Sequence, residues 1–121
     1  MSRMSKDKGK RFERETAHMF KEYGYNAHRT AQYKGNTGDA GDVEGVPGIH
    51  IECKHQERMH LYECMEQSIA DARAEGKNNL PLVIHKANNK AVLVTMQFDD
   101  WINMYNEYVS GSKISEGKEL V

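Results

Sequence analysis

The sequence predicts one α/β domain in which helices flank a mixed central β-sheet, with elements in the order αβββαββα. Three observations lead there. The length, 121 residues, suits a single domain with its own core and no disulfide or metal staple. Apolar residues recur at helical spacing in three stretches, near the start, the middle and the end of the chain. The segments between them are short, apolar or alternating, and are bounded by Gly, Asn and Pro.

Phe12, Thr16, Met19, Phe20 and Tyr23 mark the first helix, and Gly24 stops it. Tyr25 to Thr30 reads as a short strand, followed by a Gly/Asn/Asp-rich loop from Gln32 to Gly41. Residues 42–44 and 49–54 flank Gly45-Val46-Pro47-Gly48 and read as a hairpin. Leu61, Cys64, Met65, Ser68, Ile69 and Ala72 mark a second helix ending near Gly76. Leu80 to His85 and Ala91 to Met96 are short apolar runs joined through Asn88-Asn89, a pair that tolerates positive φ. Asp99 is the expected N-cap of a last helix carrying Trp101, Ile102, Tyr105 and Tyr108.

Composition narrows the function classes. No apolar run approaches the roughly 20 residues of a bilayer span, and no apolar h-region follows the N-terminal charges. Two cysteines, Cys53 and Cys64, make no disulfide framework, so a reducing, cytoplasmic setting is expected. The net charge of −1 does not itself suggest a nucleic-acid partner. It averages over two unlike halves: residues 1–60 hold eleven Lys/Arg against nine Asp/Glu, residues 61–121 six against nine. The basic excess starts in a solvated arm, residues 1–7, and continues through Lys8, Lys10 and Arg11. Residues 110–121 lack periodicity and are expected to form a tail, which leaves 8–109 as the domain.

The hairpin carries the chemistry. In Ile49-His50-Ile51-Glu52-Cys53-Lys54, side chains alternate, so Ile49, Ile51 and Cys53 share an apolar face and His50, Glu52 and Lys54 share the other. An isolated Glu-x-Lys pair is ordinarily just solvated. Here Asp42 falls opposite Glu52 if the hairpin loop is Val46 to Gly48, and a one-residue slip would part the two carboxylates. Adjacent carboxylates must share a proton or a cation. On the first helix, at about 100° per residue from Phe12, Glu13 lies near 100°, inside the arc bounded by Phe20 and Ala17. An inward carboxylate needs either an arginine or a cation, and the spacing leaves both open. Glu13, Asp42, Glu52 and Lys54 together suit metal-assisted phosphodiester hydrolysis, with a lysine to orient water or steady developing charge. Tyr33, Lys34 and Asn36, in the loop that leads into Asp42, are placed to follow a phosphate backbone.

With these residues in view, the sequence resembles the PD-(D/E)XK nuclease superfamily, and within it the small archaeal-type and phage-type Holliday junction resolvases. Lys8-Gly9-Lys10-Arg11-Phe12-Glu13-Arg14-Glu15, Tyr23-Gly24-Tyr25, Arg29, Gly41-Asp42-Val43 and Ile51-Glu52-Cys53-Lys54 carry the likeness, from about Lys8 to Tyr108. It implies a restriction-endonuclease-like fold and a Mg2+-dependent endonuclease, with Mn2+ substituting, that acts as a homodimer on branched double-stranded DNA without a small-molecule cofactor. It assigns Glu13, Asp42 and Glu52 to the metal, Lys54 to catalysis and Arg29 to DNA contact. Gln67 resembles a catalytic-helix glutamine of many members, although from Leu61 it falls at about 240°, away from the apolar arc. Gly41 stands where the motif has proline, and His55 falls where the family has no fixed residue. Flap, nicked or linear duplex DNA is the alternative substrate, and a non-catalytic DNA-binding module is the alternative class. A zinc site from Cys53, His55, His60 and Cys64 is not expected, because Cys53 points to the apolar face.

Overall fold

The computed structural model describes residues 3–31 and 41–115. Its elements are α1 (Arg3–Glu22), β1 (His28–Arg29), β2 (Val43–Glu44), β3 (Ile49–His55), α2 (Leu61–Glu75), β4 (Leu80–Lys86), β5 (Leu93–Thr95) and α3 (Phe98–Ser115). The five strands lie in one sheet in chain order, β1-β2-β3-β4-β5. β3 and β4 run parallel through the α2 crossover, and every other neighbour pair is antiparallel. This is the mixed sheet with flanking helices that the periodicity predicts.

Element ends are set by local chemistry. Gly24, at φ 93°, donates its amide to Lys21 O and closes α1. Gly76, in the left-handed conformation, caps α2 through Arg73 O. The Ala87–Lys90 turn closes with Lys90 N–H on Ala87 O, and Asn89 takes φ 59°. Three ends fall differently from expectation. α1 begins at Arg3, within the expected N-terminal arm, and α3 runs to Ser115, within the expected tail. α3 also begins two residues early, at Phe98, with Trp101 N–H donating to Gln97 O. Asp99 is therefore not its cap but lies in the first turn, where its charge faces the positive end of the helix.

β3 is the strand that organises everything else. Ile51 and Cys53 face α1 and join Phe12, Ala17, Ala27, Val43 and Ile84 in the core. Phe12, 1% exposed, is its largest member. The alternate residues of β3 face α2, whose Met65, Ser68 and Ala72 are buried, and Ser68 Oγ donates to Leu82 O at 2.9 Å. His50 and Glu52 are consequently 2% and 7% exposed, so this face of the strand is covered rather than solvated.

Candidate active site

The site starts with the ladder between β2 and β3. Val43 pairs with Ile51, and one step on Asp42 N–H donates to Ile51 O at 2.7 Å. That register sets Asp42 across from Glu52, as the hairpin argument requires. Asp42 Oδ2 in turn accepts the Cys53 amide at 2.7 Å, which pins the carboxylate against β3. Gly41 makes this approach possible: a Cβ there would lie 2.9 Å from Ile51 O and 3.1 Å from Ile51 N. Proline carries a Cβ too, so the glycine at this position follows from the close passage of the two backbones.

The carboxylates crowd one another. Burial and the nearby Glu52 carboxylate push Asp42 up to about 6, against the opposing pull of the Cys53 amide and Lys54. Glu13 is also raised, by burial and then by Asp42, with Arg29 and Lys10 opposing. Asp42 is thus the hub, coupled to Glu52 on one side and to Glu13 on the other. Lys54 is half-buried at the end of the same face. Oxygen-only donors whose mutual repulsion a cation would relieve fit a hard divalent metal such as Mg2+.

Glu13 has the arginine partner that its inward position calls for. Arg29 Nε donates to Glu13 Oε1 at 2.7 Å, with side chains 23% and 19% exposed. Arg29 sits on β1 opposite Val43, so its side chain shares the α1 face of the sheet. Its Nε is committed to a carboxylate as well as placed near the site. Lys8, Lys10 and Arg11 lie on α1, with Lys10 and Arg11 exposed. Tyr33, Lys34 and Asn36 lie outside the described residues. The base of their loop is tied by Thr30 N–H on Asp42 O at 3.0 Å and by Thr30 Oγ1 donating to Gly41 O.

A family model described as "Phage putative PDDEXK endonuclease" matches residues 4–117. The chain belongs to this PD-(D/E)XK endonuclease family. It is, accordingly, a nuclease. Among solved structures it is similar to Archaeoglobus fulgidus Hjc, a Holliday junction resolvase from an archaeal hyperthermophile. The match has a TM-score of 0.53 and 23% identity, covering 73% of this chain and 76% of that one. At that identity the likeness speaks to the fold alone, a restriction-endonuclease-like arrangement of a mixed sheet and helices. No curated protein sequence matches the chain at a significant level.

The PD-(D/E)XK chain also holds a cluster that its motif residues do not announce. Among the described residues, the His/Cys/Asp/Glu group with ligand atoms all within 4.8 Å of one another is His50, Glu52 and Asp71. Glu13 and Asp42 are not in it, so the three expected metal carboxylates form a chain through Asp42 rather than one compact triad. His50 Nε2 contacts Glu52 Oε1 at 2.9 Å and its Nδ1 contacts Glu75 Oε1 at 2.5 Å. Burial alone would lower the imidazole pKa, but the two carboxylates outweigh it and hold it up at about 9. Gln67 is exposed and donates to both carboxylate oxygens of Asp71, at 3.0 and 2.9 Å. It therefore reaches the cluster one residue removed.

Sequence reasoning missed Glu75 and Asp71, although a signal existed. At about 100° per residue from Leu61, Glu75 falls near 320°, between Cys64 and Ser68 inside the apolar arc, and Asp71 near 280°, at its edge. The inward-carboxylate test that singles out Glu13 also singles out Glu75. His55 proves structural: its ring meets Phe12 edge-on at 5.7 Å and its Nε2 contacts Asn88 Oδ1 at 2.9 Å. Cys53 is buried in the core, where burial and then Asp42 raise its thiol pKa, and it stands apart from any zinc-like group among the described residues.

Proposed function

We propose that this nuclease is a Mg2+-dependent endonuclease of branched double-stranded DNA, with four-way junctions as its preferred substrate and Mn2+ able to replace Mg2+. The observation that carries this reading is Asp42 set against Glu52 with Lys54 beside it, where burial and then the Glu52 charge push the Asp42 carboxyl up to about 6. Asp42 and Glu52 would hold the cation, with Glu13 reaching it from α1 through the Asp42 side. A bound divalent ion supplies charge neutralisation at the scissile phosphate and a more acidic water. Lys54 orients that water and stabilises charge that builds on the phosphate. Gln67 supports Asp71 at the rim of the site.

Lys8, Lys10 and Arg11 on α1, together with Tyr33, Lys34 and Asn36 in the loop before Asp42, would hold the DNA backbone, and Arg29 would join them while balancing Glu13. Such phosphate contacts position without reading sequence and weaken with salt. Cutting a four-way junction symmetrically asks for two active sites, hence a homodimer. Its support is an exposed apolar surface on α3 and the edge strand β5. Trp101, 45% exposed, stacks on Tyr105 at 5.3 Å, flanked by Phe98, Tyr108, Leu93 and Val94. The two free cysteines agree with a reducing, cytoplasmic setting, and among the described residues no helix is long and apolar enough to cross a membrane.

The test is a side-by-side digestion of matched four-way junction, flap, nicked and linear duplex in Mg2+, with an EDTA control. Paired symmetric incisions confined to the junction support the proposal, and preferential cutting of linear duplex discards it. A sedimentation mass equal to one chain would remove the homodimer.

A further inference from the structure

Glu75 lies in the last turn of α2 and Glu52 on β3, and the buried ring of His50 joins them. We propose that His50 and Glu75 are positioning residues for Glu52: the imidazole clamps one carboxylate oxygen of Glu52 and Glu75 anchors the imidazole, so that the other oxygen is left for the cation shared with Asp42. The proposal rests on the reading above that Glu52 holds the catalytic cation.

Four observations carry it. The His50 side chain has no exposed surface, so water cannot replace either contact. Its two nitrogens meet Glu52 Oε1 at 2.9 Å and Glu75 Oε1 at 2.5 Å. Glu75 is 14% exposed at the side chain and is fixed by a helix whose inner residues pack on the sheet. Glu52 sits two residues from His50 on the same strand face, so the bridge spans the shortest distance at which alternate side chains meet.

The same geometry argues against His50 as a metal ligand. A ligating imidazole aims an unprotonated nitrogen at the ion and donates from the other. Here both nitrogens already face carboxylate oxygens. Asp71, the remaining member of the compact cluster, is held on both oxygens by Gln67. The arrangement orients a carboxylate that can bind metal; it does not present a third ligand. Outer residues of this kind typically change metal affinity by about 10–100-fold when removed.

Two readouts test this on the full-length protein. Mn2+ binding is followed by loss of the free-ion EPR signal, and cleavage is followed across a Mg2+ titration at fixed and at varied DNA concentration. His50→Leu is expected to weaken Mn2+ binding about tenfold or more and to raise the Mg2+ midpoint equally. Saturating Mg2+ should restore most of kcat, and KM for DNA should stay unchanged. Glu75→Gln should shift both midpoints in the same direction by a smaller factor, roughly threefold. His50→Gln, whose amide can still donate to Glu52, should recover part of the loss. If His50→Leu does not fold, the Glu75→Gln variant carries the test. Wild-type Mn2+ affinity in folded His50→Leu and Glu75→Gln, with affinity lost in Glu52→Gln, overturns the positioning role alone. Wild-type affinity in Glu52→Gln overturns the cation site and this proposal with it. A larger loss in His50→Leu than in Glu52→Gln marks His50 as a ligand and overturns the positioning role.

Discussion

Arg29 Nε donates to Glu13 Oε1 at 2.7 Å, joining β1 to α1 across the α1 face of the sheet. Both side chains are largely out of solvent, so removing the guanidinium leaves a poorly solvated carboxylate that Asp42 already disfavours. Arg29→Met should destabilise the protein by about 2 kcal/mol, between the exposed and fully buried limits for ion pairs. Glu13→Gln in the same chain should recover part of that loss. Urea unfolding of the two single variants and the double variant measures it.

Burial, and then the Glu52 charge, disfavour the ionised form of Asp42. Its carboxyl is raised from 3.8 to about 6, so the folded state binds the proton more tightly than the unfolded chain does. The sign follows from linkage: the cost of the charged pair is present above about pH 6 and fades as pH falls through that value. Asp42→Asn keeps an oxygen for the Cys53 amide and removes the charge. In EDTA at pH 7.5 it should raise stability by roughly 2 kcal/mol, an advantage that should largely vanish near about pH 4. Mg2+ should stabilise the wild type and not the variant. Thermal melts at the two pH values, with and without Mg2+, show whether it does.

Glu52→Gln should abolish cleavage, by about a thousandfold or more, while junction binding in a gel-shift assay survives. Lys54→Met should lower the rate by about a hundredfold or more with little change in Mn2+ binding. Equal cleavage by Glu52→Gln would remove the assignment of Glu52 to the site.

Gly41→Ala tests the close passage of β2 and β3. The added methyl would sit 2.9 Å from Ile51 O, against backbone that cannot rotate away. β2 must shift, and Asp42 shifts with it. The expected result is a loss of about 1–3 kcal/mol, as for overpacking elsewhere, together with a larger proportional loss of cleavage. Urea unfolding and a cleavage assay on the same preparation separate the two effects.

Much of this was legible in the chain because it is local. The alternation in Ile49–Lys54 separates the apolar residues from His50, Glu52 and Lys54, and the hairpin length sets Asp42 against Glu52. Glu13 declares itself by its angle on α1. Gly76 and Asn89 declare their turns by the backbone conformations they tolerate. Helix ends were less legible: α1 and α3 each run further than periodicity suggests, because apolar spacing marks the face a helix buries and not its length, and α3 continues through Gly111.

By itself, then, the sequence determined the order of the elements, the register of the hairpin and the side of its own element on which each carboxylate stands. Repeat period and turn chemistry act over a few residues, and those properties need nothing more. Only the tertiary structure decided what meets each face. It made Arg29 the partner of Glu13, laid α2 over the Glu52 face and brought Glu75 to the His50 ring. Those contacts join residues 16 and 25 positions apart. They depend on how helices dock on a sheet, and an amphipathic pattern fixes which side of a helix turns inward without fixing which strand residues lie beneath it.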